Sequence, residues 1–185
     1  MRNKILKYAM VSITIASLTS CIDDDAPVII NEEELITTVE YTLTNSADAS
    51  NIVVLKSVDS DGDGPDAPVI TTAGTLRANS SYSGAVRFLN ENESPAEDIT
   101  EEVMEESLEH EVFYVTSTTG VQITKLDNDT GGNPLGVRTT FQTGAATTGN
   151  LTIVLRHEPI KPNDGSLSGA AGETDAQVSL PLSIQ

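Results

Sequence analysis

Thr38-Val39-Glu40-Tyr41-Thr42-Leu43-Thr44 is the stretch of sequence that decides the fold. Val39, Tyr41 and Leu43 alternate with polar residues, and this period of two places apolar side chains on one face of a β-strand. The β-branched and aromatic residues of the stretch also favour a strand over a helix. We therefore predict a half-buried first strand at 38–44.

The same pattern recurs toward the C-terminus, with Gly, Asn and Asp at the turns between the runs. Further strands or edge pieces are predicted at 52–58, 68–72, 75–78, 81–90, 112–117, 121–126, 137–142, 151–156 and 176–184. Eight to ten strands at regular spacing predict an all-β domain over residues 35–185. The expected architecture is an antiparallel β-sandwich, immunoglobulin-like in the broad sense.

One short helix is predicted near 95–108. Ser94-Pro95-Ala96-Glu97 has the form of a capping box with proline at the first helical position, and Ile99 and Val103 follow at helical spacing. Eight carboxylates lie between Glu97 and Glu111, and like charges on adjacent turns weaken a helix. We expect one or two turns on the sheet edge, outside the core.

Residues 1–20 have the pattern of a secretory signal, with a basic start and a mostly apolar run from Tyr8 to Leu18. The run is shorter than the roughly 20 residues that span a bilayer. Leu18-Thr19-Ser20-Cys21 resembles the lipobox of bacterial lipoproteins. This resemblance implies that residues 1–20 are removed and that the Cys21 thiol is lipidated. The alternative is an ordinary cleaved signal with an incidental cysteine.

Residues 21–34 are predicted to be an acidic tether between the lipid anchor and the sandwich. Asp23-Asp24-Asp25, directly after Cys21, resembles the export signal that sends Bacteroidota lipoproteins to the outer face of the outer membrane. The alternative is a solvated linker that carries no address.

The charge of the chain limits its partners. It has 10 Lys and Arg against 28 Asp and Glu, a formal net charge of −18. A polyanion of this size repels phosphate backbones, so nucleic acid is excluded as a partner. The same charge attracts cations.

Asp59-Ser60-Asp61-Gly62-Asp63-Gly64 has the spacing of the first half of an EF-hand loop. Hard carboxylate oxygens suit Ca²⁺, although the twelfth position of such a loop is Ile70 where a glutamate is expected. The calcium candidates are Asp59, Asp61, Asp63 and Asp66. The alternative is an Asx-rich turn without metal.

Two histidines, His110 and His157, flank predicted strands. If the strands between them form a simple up-and-down meander, both histidines lie at one rim of the sandwich together with Asp127 and Asp129. Imidazoles with nearby carboxylates can bind a transition metal. The alternative is two surface histidines at strand ends.

Catalytic motifs of the H-E-x-x-H and G-x-S-x-G types are absent from the sequence. The chain is therefore predicted to bind a ligand and not to be an enzyme.

Four further phrases resemble a set of small lipoproteins of Bacteroidota, flavobacterial ones especially. They are Asp59 to Pro65, Glu93 to Glu102, Leu155 to Pro159 and Gly172 to Asp175. Some such proteins are labelled as having the type 1 periplasmic binding fold, whose two doubly wound lobes a chain of this length with one short helix cannot build.

This resemblance implies a lipoprotein of the outer membrane, facing the cell exterior, that acts as a ligand-binding accessory to a TonB-dependent receptor. Uptake of a metal ion or metal chelate is the first expectation. The alternative is a structural or adhesive surface protein stiffened by Ca²⁺.

Overall fold

The computed structural model of the protein describes residues 35–62 and 64–185. These residues belong to one compact unit. The predictions for the signal at 1–20, the tether at 21–34, Cys21 and Asp63 lie outside the described residues.

The described part of the chain forms ten strands and two short helices, and the predicted all-β fold is confirmed. In chain order the elements are β1 (Thr38–Asn45), β2 (Ile52–Val58), β3 (Val69–Ala73), β4 (Ser81–Asn90), β5 (Glu97–Asp98), α1 (Ile99–Glu105), β6 (His110–Thr116), β7 (Gln122–Lys125), β8 (Arg138–Gln142), β9 (Thr147–His157), α2 (Leu167–Ala170) and β10 (Glu173–Ile184). Neither of these helices is long and apolar enough to cross a membrane.

The strands form two antiparallel sheets. The larger sheet has the order β3-β2-β1-β4-β8-β7, with the two-residue β5 paired to the end of β4, and the smaller sheet has the order β10-β9-β6. The chain changes sheets between β6 and β7 and again between β8 and β9. The simple meander considered for these strands is therefore wrong. Only β7 and β8 pair as neighbours, whereas β6 pairs with β9 in the other sheet.

The core lies between the two sheets. Val39, Tyr41 and Leu43 of β1 are buried, as their alternation predicts, and they pack in one cluster with Ile153 and Leu155 of β9. Each fully buried large apolar side chain contributes about 1.5–3 kcal/mol. The Tyr41 hydroxyl shares a buried hydrogen bond of 2.6 Å with the hydroxyl of Thr139 on β8, so its polar atom is satisfied inside the core.

The short helix begins later than its sequence predicts. Residues 97–98 pair with the end of β4 as β5, and Asp98 caps α1 by accepting a hydrogen bond of 3.2 Å from the backbone N–H of Thr100. The predicted capping box at Ser94 does not form, because strand pairing takes the residues that it needs. The expected position outside the core is also wrong, since Ile99 and Val103 are buried in the main cluster.

Candidate metal centre

Three strand ends meet at one rim of the sandwich and bring two histidines and an aspartate together. His110, the first residue of β6, pairs with His157, the last residue of β9. On the other side of β9, the register of β10 shifts between Thr174 and Ala176, which makes Asp175 the extra residue of a β-bulge. A bulge redirects the side chain that it carries, and the Asp175 carboxylate lies beside both imidazoles.

The ligand atoms of these three side chains, which we call the inner site, all lie within 4.8 Å of one another. Asp175 Oδ2 is 3.7 Å from His110 Nε2 and 3.9 Å from His157 Nδ1. The ligands of a tetrahedral Zn²⁺ lie about 2.0–2.2 Å from the metal, which places them roughly 3.3–3.6 Å from each other. The two distances from the Asp175 carboxylate to the imidazoles exceed this range by a few tenths of an ångström.

His110 is held in the form that binds metals. Its Nδ1 lies 3.3 Å from the carbonyl oxygen of Glu106, and a carbonyl can only accept, so Nδ1 carries the hydrogen and Nε2 keeps its lone pair. Burial lowers the pKa of His110, and the charge of His157 lowers it further. Both effects favour the neutral imidazole, whose Nε2 faces Asp175.

His157 also belongs to a second group of side chains, which we call the outer group. It consists of Glu109, His157 and Glu158, whose ligand atoms again lie within 4.8 Å of one another. The backbone N–H of Glu158 donates a hydrogen bond of 2.6 Å to the carbonyl of Glu109, which keeps the two glutamates side by side. Both glutamates are exposed, whereas His110 in the inner site is 1% exposed.

A buried lysine fastens the loop after β9 to this rim. Lys161 Nζ donates to the carbonyls of Ser107 at 2.7 Å and His110 at 2.6 Å, and to Asp129 Oδ2 at 3.1 Å. These three bonds use all three ammonium hydrogens. Lys161 therefore fixes the backbone of His110, whose imidazole is the more buried of the two.

Asp127 and Asp129 lie near this rim, but their carboxylates form hydrogen bonds with the backbone of their own loop. Asp127 Oδ1 accepts a hydrogen bond of 2.9 Å from the backbone of Gly136. Asp129 Oδ1 accepts from the backbone of Gly131 at 2.9 Å and of Asn133 at 2.8 Å. Among residues 35–62 and 64–185, neither aspartate belongs to a group with metal-binding geometry.

The other predicted site residues lie in the turn between β2 and β3. Asp59 Oδ1 is shielded from solvent and has no hydrogen-bond partner among the described residues. Burial raises the pKa of Asp59, and its hydrogen bond with Asp61 raises it further. Asp61 Oδ2 accepts from the backbone N–H of Asp66 at 3.2 Å, and the Asp66 side chain is exposed. The calcium site stays a prediction, with Asp63 outside the described residues.

A groove of about 490 Å³ runs beside β10. Residues 35–39 and 174–179 form its walls, and both Asp59 and Asp175 line it. The side chains of His157 and Asp175 are 14% and 15% exposed, so the inner site is open to solvent on one side.

Asp175 is the inner-site residue that we did not predict. Its position near the start of the last strand carries no periodic signal, and it reaches the histidines only because β10 bulges there.

Comparison of the chain with family models, with curated proteins and with solved structures gave no match.

Proposed function

We propose that this protein binds a transition-metal ion at the inner site, as part of an exported lipoprotein that captures a ligand and does not transform it. The observation that carries the proposal is the convergence of His110, His157 and Asp175, whose ligand atoms lie within 4.8 Å of one another. Two imidazoles with one carboxylate favour Zn²⁺ or a similar ion over Ca²⁺ or Mg²⁺, which prefer oxygen ligands alone.

Three protein ligands leave one position of a tetrahedral metal open. Water, a small chelating ligand or a side chain of a partner can occupy this position. An ion held in this way can be passed on, whereas an ion with four protein ligands is closed off. The net charge of −18 also raises the local concentration of cations around the rim.

The cellular setting of the proposal comes from the sequence. A lipidated Cys21 would anchor the sandwich in the outer membrane, and the acidic residues after it favour the outer face. Two or more acyl chains give stable anchoring without any electrostatic help, which suits so acidic a protein. In this setting the ion would be handed to a TonB-dependent receptor.

Isothermal titration of the purified full-length chain with Zn²⁺ tests the proposal. We expect one ion per chain with micromolar or tighter affinity. Asp175→Asn should weaken binding at least about tenfold, because it replaces a charged ligand by a neutral amide. Asp48→Asn is the same change in the turn between β1 and β2, at a carboxylate that pairs with Arg77 and belongs to neither group of ligands. It should leave the affinity unchanged. A chain that shows no saturable binding, or equal affinities in all three proteins, would contradict the proposal.

A second candidate function is a structural or adhesive surface protein stiffened by Ca²⁺. The observation that favours it is Asp59 Oδ1, which is shielded and lacks a hydrogen-bond partner among the described residues, next to the carboxylate of Asp61. A cation at this turn would neutralise both groups.

Thermal melts in Ca²⁺ and in EDTA test this second function. At a tenfold excess of Ca²⁺ over its dissociation constant, binding stabilises the folded state by about 1.4 kcal/mol, which raises the melting temperature by about 3–6 °C for a domain of this size. We expect this rise in the wild type and its loss in Asp61→Ala. Equal melting temperatures with and without Ca²⁺ would rule out the stiffening role.

A further inference from the structure

We propose that the outer group, Glu109 with His157 and Glu158, is a capture site from which the metal ion passes to the inner site. This inference rests on the proposed metal-binding function and adds the route by which the ion arrives. Its basis is one juxtaposition: His157 has a ligand atom within 4.8 Å of two exposed glutamates and also within 4.8 Å of His110 and Asp175.

The shared imidazole makes the two sites alternatives. A neutral imidazole has one protonated and one unprotonated ring nitrogen, so His157 can offer its lone pair to one ion at a time. The pair of sites therefore binds a single ion per chain. The ion changes partners by exchanging Glu109 and Glu158 for His110 and Asp175 while His157 serves first one set and then the other.

The two sites differ in the way that capture followed by storage requires. The outer group has one nitrogen ligand and two exposed carboxylates. Exposed carboxylates are hydrated, so they bind an ion weakly. The inner site has two nitrogen ligands, and His110 is 1% exposed and fixed by its bond to the Glu106 carbonyl. Borderline and soft transition metals prefer imidazole to carboxylate, so the transfer from the outer group to the inner site is favourable.

The exposed carboxylates of the outer group also raise the rate at which a cation associates with the rim. A cation that approaches this rim meets Glu109 and Glu158 before it meets His110, because both glutamates are exposed and the imidazole of His110 is not. Charge of opposite sign at the mouth of a site raises the association rate, and salt reduces this effect. The outer group should therefore control the rate of binding more than its equilibrium.

Stopped-flow mixing of the full-length chain with Co²⁺, whose absorption reports tetrahedral binding, tests this route. We expect the double variant Glu109→Gln/Glu158→Gln to bind about tenfold more slowly than the wild type, with a dissociation constant within about threefold. Association and dissociation should slow together, because a capture site lies on both paths. Asp175→Asn should show the opposite pattern, with fast association and fast dissociation.

The matched control is Glu101→Gln/Glu102→Gln, which removes two negative charges from exposed positions of α1. It tests whether the overall field of the protein, and not the outer group, sets the rate. Equal slowing in the two double variants, or no slowing in the first, would overturn the capture site while the inner site stands. Failure of the wild type to bind either Co²⁺ or Zn²⁺ would overturn both proposals.

Discussion

At the scale of single residues, Asp129 links the rim to the stability of the protein in acid. Burial raises the pKa of its carboxyl, but hydrogen bonds from the Asn133 backbone and from Lys161 outweigh this effect and lower the pKa to about 2. An aspartate with a lowered pKa stabilises the folded state above its unfolded pKa of about 3.9, and this contribution is lost as the pH falls toward 2.

Urea unfolding between pH 7 and pH 2 should therefore show a specific difference between the wild type and Asp129→Asn. The wild type should exceed the variant in its free energy of unfolding by a constant amount down to about pH 4. Between about pH 4 and pH 2 this margin should shrink by roughly 1–2 kcal/mol. A margin that does not change with pH would show that the Asp129 charge has no role.

The residue scale is also where sequence reasoning was least complete. His110 and His157 could be identified because each lies at the end of an apolar run, and the structure pairs them across β6 and β9. Asp175 could not, because no sequence pattern marks the bulge that directs it. Asp127 and Asp129 follow β7 as expected, but their carboxylates bind backbone N–H groups of their own loop.

At the scale of elements, Lys161 fastens the loop between β9 and α2 to the start of β6. Its side chain is 6% exposed, and the Asp129 carboxylate that it faces is fully buried. Lys161→Met should cost about 3–5 kcal/mol in free energy of unfolding, since it leaves a buried charge without its partner. It should also weaken Zn²⁺ binding, because the backbone of His110 loses a hydrogen bond.

The control for this prediction is Lys56→Met, which removes a lysine from the more exposed ion pair with Glu91. Surface pairs of this kind contribute about 0–1 kcal/mol. Chemical unfolding of both variants gives the comparison, and similar losses in the two would contradict the anchoring role of Lys161.

Strand positions followed from the sequence much better than strand partners did. The pattern of apolar and polar residues located β1, β2 and β4 to within one residue, because a period of two is a local property. The exchange of sheets between β6 and β7 depends on which faces pack together, and no local pattern records it. The start of α1 was missed for a similar reason, since pairing of β5 with β4 overrides a local capping signal.

At the scale of the whole molecule, the proposed function includes a lipid anchor at Cys21. Cells that express the wild type and are fed labelled palmitate should incorporate the label into this chain, and Cys21→Ser should abolish the signal. Protease added to intact cells should degrade the wild type if the sandwich faces outward. Equal labelling of the two proteins would contradict the lipid anchor, and complete protection from protease would contradict the outward orientation.

Net charge and architecture act together at this scale. The charge of −18 gives the molecule a field that attracts cations, and the bulged edge strand β10 directs one carboxylate toward a pair of imidazoles. Composition alone could predict the attraction but not the point at which it is focused, because that point depends on the pairing of three distant segments.

The most direct test of metal binding at the inner site is anomalous diffraction from crystals of the full-length chain grown with Zn²⁺. Metal binding at the inner site predicts a peak about 2.0–2.2 Å from one ring nitrogen of each histidine and from a carboxylate oxygen of Asp175. A map with no peak between these three side chains, at Zn²⁺ concentrations that saturate the protein in solution, would contradict it.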